Sequence, residues 1–306
     1  MVGELGPIRC AVIGQPISHS QSPAIHLAFA RQMGLALDYQ RIECAPTEFA
    51  ITVRAFFAAG GRGLNVTLPH KAAALALAHR ASTRAQQAGA ANTLGVDADG
   101  SIWADNTDGI GLLRDLERLG VAVAGQRVLL LGAGGAAAGI VPALLAAQLA
   151  ALGLANRTPE RAINLLRRLA EIRDTVGWVM THQLAAAPLA AGRNQSFLTE
   201  PRRGAHSAHQ DAPYLASAAD QPYSLVINTT SDGAAELLAG LPLVRDGCGY
   251  DLNYGPRAAL TLAAMRALGL STCHDGRGML IEQAAQSFQL WHGLRPETGA
   301  LHAAPL

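Results

Sequence analysis

No charge of one sign dominates this sequence. Its 24 Lys and Arg nearly balance 23 Asp and Glu, for a formal net charge of +1. The densest basic cluster, Arg202-Arg203, is only a pair. Such a chain spreads no field that would draw in nucleic acid or an acidic membrane, so neither is expected as a partner. Cysteine is scarce as well. Cys10, Cys44, Cys248 and Cys273 stand far apart, without a Cys-x-x-Cys pair or a zinc spacing, so no metal is expected. Cys10 and Cys44 fall in apolar, strand-like segments, where a free thiol behaves as a small buried hydrophobe. A reducing cytoplasm is the expected compartment. Met1 to Pro7 shows no basic stretch leading into an apolar one and does not read as a signal peptide. No repeat of fixed period runs through the chain. Charged residues are only 15% and apolar ones 50% of 306, which excludes a disordered chain and suits two compact α/β domains.

One segment imitates a membrane span. From Val128 to Ala155 the only strongly polar side chain is Gln148. Five glycines and Pro142 interrupt the run, and no basic flank or aromatic belt frames it. A buried strand, a glycine turn and a tightly packed helix explain it better.

The rest alternates strands and helices. Ile8 to Ile13 reads as a strand. Ser22-Pro23 then opens a helix, with serine at the N-cap, and Ile25, Phe29 and Met33 continue it to Gly34. Strands follow at Tyr39 to Cys44 and Leu64 to Leu68, with a helix from Glu48 to Ala59 between them. Pro69 opens another helix. The pattern restarts at Gln126 with a strand from Arg127 to Leu131, a glycine turn, a helix and a strand from Leu152 to Ala155. Later strands are expected at Ser224 to Asn228 and Gly249 to Leu252, and helices at Ala258 to Leu268 and Gly278 to Trp291. Ala190 to Pro222 reads as a long polar loop; its His206 and His209 lack metal partners nearby. The expected fold is two open, mostly parallel α/β domains with a cleft between them, the second a Rossmann-type dinucleotide-binding domain.

Gly132-Ala133-Gly134-Gly135-Ala136-Ala137 follows the apolar strand directly and leads into a helix. That context turns a weak pattern into a dinucleotide site. Gly132 permits the tight turn, Gly134 lets the backbone approach the pyrophosphate, and Ala137 allows close helix–strand packing. The next strand ends in Asn156-Arg157-Thr158, with Arg161 one helical turn on. An acid there would hold the ribose 2′-OH of NAD; two guanidiniums and a hydroxyl instead suit a 2′-phosphate. NADP(H) is the expected cofactor, against the alternative that Arg157 is only a solvated helix-start residue.

Polar clusters mark strand ends in the first half: Ser20-Gln21-Ser22-Pro23, Asn65-Val66-Thr67 with Lys71, Asn92-Thr93, and Asp105-Asn106-Thr107-Asp108-Gly109. Ligands of open parallel sheets bind at such ends. Ser22 and Asp108 each have a bland alternative as helix N-caps. Lys71 is harder to dismiss, because a cation in the first turn of a helix opposes the helix dipole and asks for a ligand or a carboxylate partner. Its ammonium suits a proton donor.

Together with Tyr250-Asp251-Leu252-Asn253-Tyr254 and Asp275-Gly276-Arg277-Gly278-Met279-Leu280 with Gln283, these clusters make nearly the whole chain resemble the shikimate dehydrogenase family. The resemblance implies reversible NADPH-dependent reduction of 3-dehydroshikimate to shikimate, a monomer or homodimer, and a substrate domain of residues 1–107 completed by helices in 256–306. Residues 108–255 would form the NADP domain. It implies that Ser20 and Ser22 bind the substrate carboxylate with Tyr254 nearby, that Thr67, Asn92, Asp108 and Gln283 bind its hydroxyls, and that Lys71, paired with Asp108, passes the proton. It adds Ala133, Gly135, Ala136, Leu252 and Gly276 to the cofactor site. The chain departs from the family in its long loop, in Arg277 where leucine is common, and in Leu252 where methionine is frequent. The close rival is a quinate/shikimate dehydrogenase using NAD; a rival of another class is a non-catalytic dinucleotide sensor.

Overall fold

Two six-stranded sheets organise the chain in a computed structural model that describes residues 6–176, 183–188, 222–232, 234–238 and 241–304. The expected loop of residues 190–222, with His206 and His209, lies outside the described residues but for Pro222. Backbone contacts divide the chain into one unit of residues 1–115, 138–143 and 278–306 and another of 116–137 and 144–277.

In the first unit, β1 (Ile8–Gly14) pairs in parallel with β2 (Leu37–Glu43) and β3 (Gly61–Val66). The helices α1 (Ser22–Gln32) and α2 (Phe49–Ala58) make the crossovers. Their directions reverse sides at β1, so the sheet has a switch point between β1 and β3. Beyond β3 come α3 (Lys71–Leu77), β4 (Arg80–Ala81), α4 (Thr83–Ala88), β5 (Thr93–Val96), β6 (Ile102–Asp105) and α5 (Asp108–Arg118). The sheet order is β2-β1-β3-β5-β6-β4, and β5 alone runs against the others. A five-residue turn with Gly100 at φ +84° forces that reversal, because it is too short for a crossover helix. The reversal has a functional result. The start of β5 lies level with the ends of β3 and β6, through the pairs Asn65–Thr93 and Thr93–Asp105.

The second unit contains β7 (Arg127–Leu131), the ends of α6 (Gly135–Ala146), whose residues 138–143 group with the first unit, β8 (Ala151–Asn156), α7 (Pro159–Val176), β9 (Gln183–Pro188), β10 (Tyr223–Asn228), α8 (Ala234–Leu238), β11 (Leu243–Asp251), α9 (Ala259–Ala267) and β12 (Thr272–Asp275). Its order, β9-β8-β7-β10-β11-β12 with every pairing parallel, is that of the dinucleotide-binding fold. The membrane-like stretch is thus β7, α6 and β8. Among the described residues no helix is long and apolar enough to cross a membrane.

Two helices follow, α10 (Arg277–His292) and α11 (Gly299–Ala303). Phe29 of α1 and Phe288 of α10 pack together with Ile25 and Ile281, all essentially inaccessible to water. Each such side chain contributes roughly 1.5–3 kcal/mol by burial. Trp291 lies over Gly63, where any side chain would collide with its ring, and donates Nε1–H to the carbonyl of Leu94 at 2.9 Å. The C-terminal return begins later than residue 256: β12 pairs with β11 and α9 packs on both, so residues 256–277 complete the second sheet.

Candidate active site

Lys71 is the first residue of α3, a turn without any acidic residue to offset the dipole. Its partner comes from a distance of 37 residues. Lys71 Nζ donates to Asp108 Oδ2 at 2.6 Å, with side chains only 16% and 8% exposed. Asp108 opens α5, where the dipole favours a carboxylate. Its second oxygen, Oδ1, accepts from Asn92 Nδ2 at 2.7 Å. Gly139 keeps this space open, since a Cβ there would lie 2.8 Å from Asp108 Oδ2.

Asn92 is itself fixed. Its Oδ1 accepts from the Thr107 backbone N–H at 2.8 Å and from the Thr93 hydroxyl at 2.9 Å. Its Nδ2 reaches Thr107 Oγ1 at 2.9 Å and Gln283 Oε1 at 3.2 Å. Lys71, Asp108, Asn92 and Gln283 therefore form one group. Thr67 stands at the end of β3 on the same edge, its methyl over the bare Cα of Gly14. Ser20 and Ser22 hold each other after β1: Ser20 Oγ donates to Ser22 Oγ at 3.2 Å and accepts from the Ser22 backbone N–H at 3.3 Å. Ser22 is not the helix cap. The cap residue is Gln21, whose side chain makes no capping bond, and the Ser22 hydroxyl accepts from Ser20 Oγ. Pro69 does not open α3 either; the Thr67–His70 turn precedes the helix, which starts at Lys71.

Of the layer beneath, the sequence reading marked Asn65 and Thr93 among its polar clusters but missed Ser287 and Tyr39. Ser287 Oγ sits 2.8 Å from Thr93 Oγ1 and accepts from Asn65 Nδ2 at 3.0 Å, while Tyr39 donates its hydroxyl to Asn65 Oδ1 at 2.7 Å. Ser287 lies four residues after Gln283, one helical turn along the same face, and that spacing could have signalled it.

In the second unit, register pairs Asn228 with Leu131 and Asp251, and Ala155 with Leu131, so the carboxyl ends of these strands are level. Gly132 takes φ +101°, and a Cβ on it would lie 2.6 Å from Thr229 Oγ1 and 2.8 Å from Thr230 Cγ2. Next in the turn, Gly134 and Gly135 face open space. Ala137, 0% exposed, packs inward from the first turn of α6. Ala133 lies in the glycine turn before the helix, and Ala136 is the second residue of α6. Asn156 Nδ2 donates to the Thr158 carbonyl at 2.7 Å and shapes the loop that carries Arg157. Arg157, Thr158 and Arg161 are exposed, and among the described residues no carboxylate pairs with either guanidinium. An open backbone at a helix N-terminus and two unpaired guanidiniums fit a phosphate-rich dinucleotide.

Asp251, at the end of β11, ties this edge together. Its Oδ1 accepts from Asn228 Nδ2 and Asn253 Nδ2, both at 2.9 Å. Burial pushes its carboxyl above the usual range, against the hydrogen bonds from Asn253 and Asn228. Leu252 bonds back to Asn228, and any side chain at Gly276 would strike the Leu252 backbone. Tyr254 precedes a 3-10 turn (Gly255–Arg257) and belongs to the second unit rather than to the first-unit group. Among the described residues no three His, Cys, Asp or Glu side chains are placed to hold a metal ion.

Comparison with known proteins bears on both units. The model of the shikimate dehydrogenase substrate binding domain matches residues 12–94, that of the shikimate / quinate 5-dehydrogenases residues 116–183, and that of the shikimate 5′-dehydrogenase C-terminal domain residues 276–304. The shikimate dehydrogenase (NADP(+)) of Xanthomonas campestris pv. campestris (strain B100) is 44% identical over 302 residues, 97% of this chain and 94% of that protein. That of Aromatoleum aromaticum is 44% identical over 300 residues, 97% and 96% of the two chains. A Thermus thermophilus shikimate 5-dehydrogenase, solved in complex with NADP(H) and shikimate, matches with a TM-score of 0.74 at 30% identity, covering 97% of each chain. An Ael1 enzyme from Pseudomonas putida matches with a TM-score of 0.74 at 35% identity, covering 98% of this chain and 99% of that one.

Proposed function

The chain belongs to the shikimate dehydrogenase family, and from that premise we propose how its residues divide the work. It is an NADP-dependent oxidoreductase that reversibly reduces 3-dehydroshikimate to shikimate. The first unit binds substrate and the second binds the dinucleotide. Ser20 and Ser22 take the substrate carboxylate, and Tyr254 is a further substrate-binding residue. Thr67, Asn92, Asp108 and Gln283 take its hydroxyls. Gly132 to Ala136 cradle the pyrophosphate, Leu252 and Gly276 shape the cofactor edge, and Asn156, Arg157, Thr158 and Arg161 take the 2′-phosphate.

NADPH, when bound, supplies the hydride. Negative charge then develops on the substrate's ketone oxygen. The Lys71 ammonium stabilises that charge and donates a proton to it. In the reverse direction the Lys71 amine accepts the hydroxyl proton. Asp108 holds the lysine through Oδ2 while Asn92 holds Asp108 through Oδ1, so the donor is aimed before substrate arrives. The observation that carries this reading is the Lys71–Asp108 pair, 2.6 Å apart and largely buried at a sheet edge lined by neutral hydrogen-bonding groups.

The test follows NADPH oxidation with 3-dehydroshikimate, beside quinate oxidation with NADP and with NAD. Efficient turnover of the first and poor turnover of the others is expected. Quinate oxidation with NAD at comparable kcat/KM would reverse the assignment of substrate and cofactor residues.

A further inference from the structure

Ser20 and Ser22 are neutral, yet the group assigned to them is a carboxylate. Two hydroxyls alone give an anion little advantage over an uncharged group of similar shape. A cation stands directly behind them. Arg41, in β2 and in register with Val12 of β1, donates Nε to the Ser20 carbonyl at 3.0 Å and Nη2 to the same oxygen at 2.6 Å. Alternation along the strand puts Arg41 on the face of Tyr39. Tyr39 stacks on His26 of α1, with ring centroids 4.4 Å apart. Arg41 thus reaches toward the loop that leads into α1.

Two consequences follow from that contact. The peptide it grips joins Ser20, which carries the hydroxyl, to Gln21, one peptide before the Ser22 N–H that bonds to Ser20 Oγ, and Ser20 N–H is held from the other side by the Ile17 carbonyl at 3.0 Å. The loop is pinned at both ends of one residue. The charge also has no ion-pair partner among the described residues, Glu43 two positions along the same face included. A guanidinium cannot lose its proton, and although Arg41 is exposed and water screens part of its charge, the end held 2.6 Å from the Ser20 carbonyl stays beside the serine pair.

We propose that Arg41 is a positioning residue of the carboxylate subsite, holding the Ser20 peptide in place and giving the subsite its preference for an anion. The proposal rests on the assignment of Ser20 and Ser22 made above. The experiment measures kcat/KM for oxidation of shikimate and of its uncharged methyl ester with NADP+, in the wild type, in Arg41→Gln, in Arg41→Lys and in a Ser20→Ala/Ser22→Ala double variant. NADP+ affinity reports that each variant is folded. Arg41→Gln is expected to lower kcat/KM for shikimate about tenfold, mainly through KM, and to change the ester less than about twofold, as loss of one close charge interaction would. Arg41→Lys, which keeps the charge, retains most of the preference and serves where the glutamine variant fails to fold. Equal losses for acid and ester in Arg41→Gln, or an unchanged ratio in it while the serine variant loses the preference, would overturn the role of Arg41 alone. An unchanged ratio in the serine variant would remove the subsite beneath the proposal.

Discussion

Lys71 is the only lysine in a chain with 24 cationic side chains; all the others are arginine. Arginine holds its proton permanently, whereas a lysine can give its proton up. The one position that departs from arginine is the one that meets Asp108 at 2.6 Å. Arg157 and Arg161, proposed to hold the 2′-phosphate, are the complementary use of arginine, as fixed charge. Replacing both by alanine is expected to raise KM for NADPH about tenfold or more and to leave use of NADH nearly unchanged, because only the 2′-phosphate distinguishes the two; unchanged NADPH kinetics would defeat the assignment. These side chains were legible because their types contradict local rules: a cation in a first helical turn, and arginine where an acid would serve NAD. Asn65, Ser287 and Arg41 contradict nothing locally. Their roles arise from contacts with residues far along the chain, such as Asn65 with Ser287 across 222 positions, which no spacing rule encodes.

Elements were legible where their signals are local and long. β7, the glycine turn and α6 follow from an apolar run, a glycine cluster and an alanine-rich stretch in direct succession. The strands β4, β5, β6 and β12 escaped, being two to four residues long with partners elsewhere in the sequence. Asp99-Gly100 carried a hairpin signal for β5 and β6. Missing that hairpin hid the reason Asn92 reaches the site, since only an antiparallel β5 starts at the edge where β3 and β6 end. The extent of α10 was legible in its apolar pattern, but its return to the first unit was expected only from the family resemblance, and its packing on α1 was not foreseen. The membrane-like segment shows the limit of hydropathy alone: a parallel strand buried on both faces and a helix packed against it have the same composition as a span.

At the scale of the whole molecule, one buried and one half-buried histidine set an acid limit. His26 is inaccessible to water, stacked on Tyr39, and burial followed by the charge of His292 pushes it down to about 3. His292 is lowered to about 4, by burial and then by Arg62. Both are neutral in the fold and take a proton near 6.5 once unfolded. The unfolded chain therefore binds more protons across that window, so stability is complete above about pH 6.5 and is lost as pH falls through it. His26 accounts for about 1.4 kcal/mol per pH unit; His292, partly solvated, accounts for less. Tm is expected to fall steadily between about pH 7 and about pH 4.5, with a shallower slope in His26→Leu. Equal slopes in the two proteins would show that His26 is not responsible. The thiols point the same way about the interior: none of the four cysteines is paired, and burial pushes Cys10 up to about 12, which leaves it inert near neutral pH.

The measurement that bears most directly on the proton-transfer assignment is steady-state kinetics of Lys71→Ala with NADPH and 3-dehydroshikimate, with Lys71→Arg alongside. Lys71→Ala is expected to lose kcat by about a hundredfold or more with little change in KM, as removal of a positioned general acid does. Lys71→Arg, which keeps the charge but not the dissociable proton, is expected to lose kcat as well. A near-normal kcat in Lys71→Ala would contradict the role given to the Lys71–Asp108 pair.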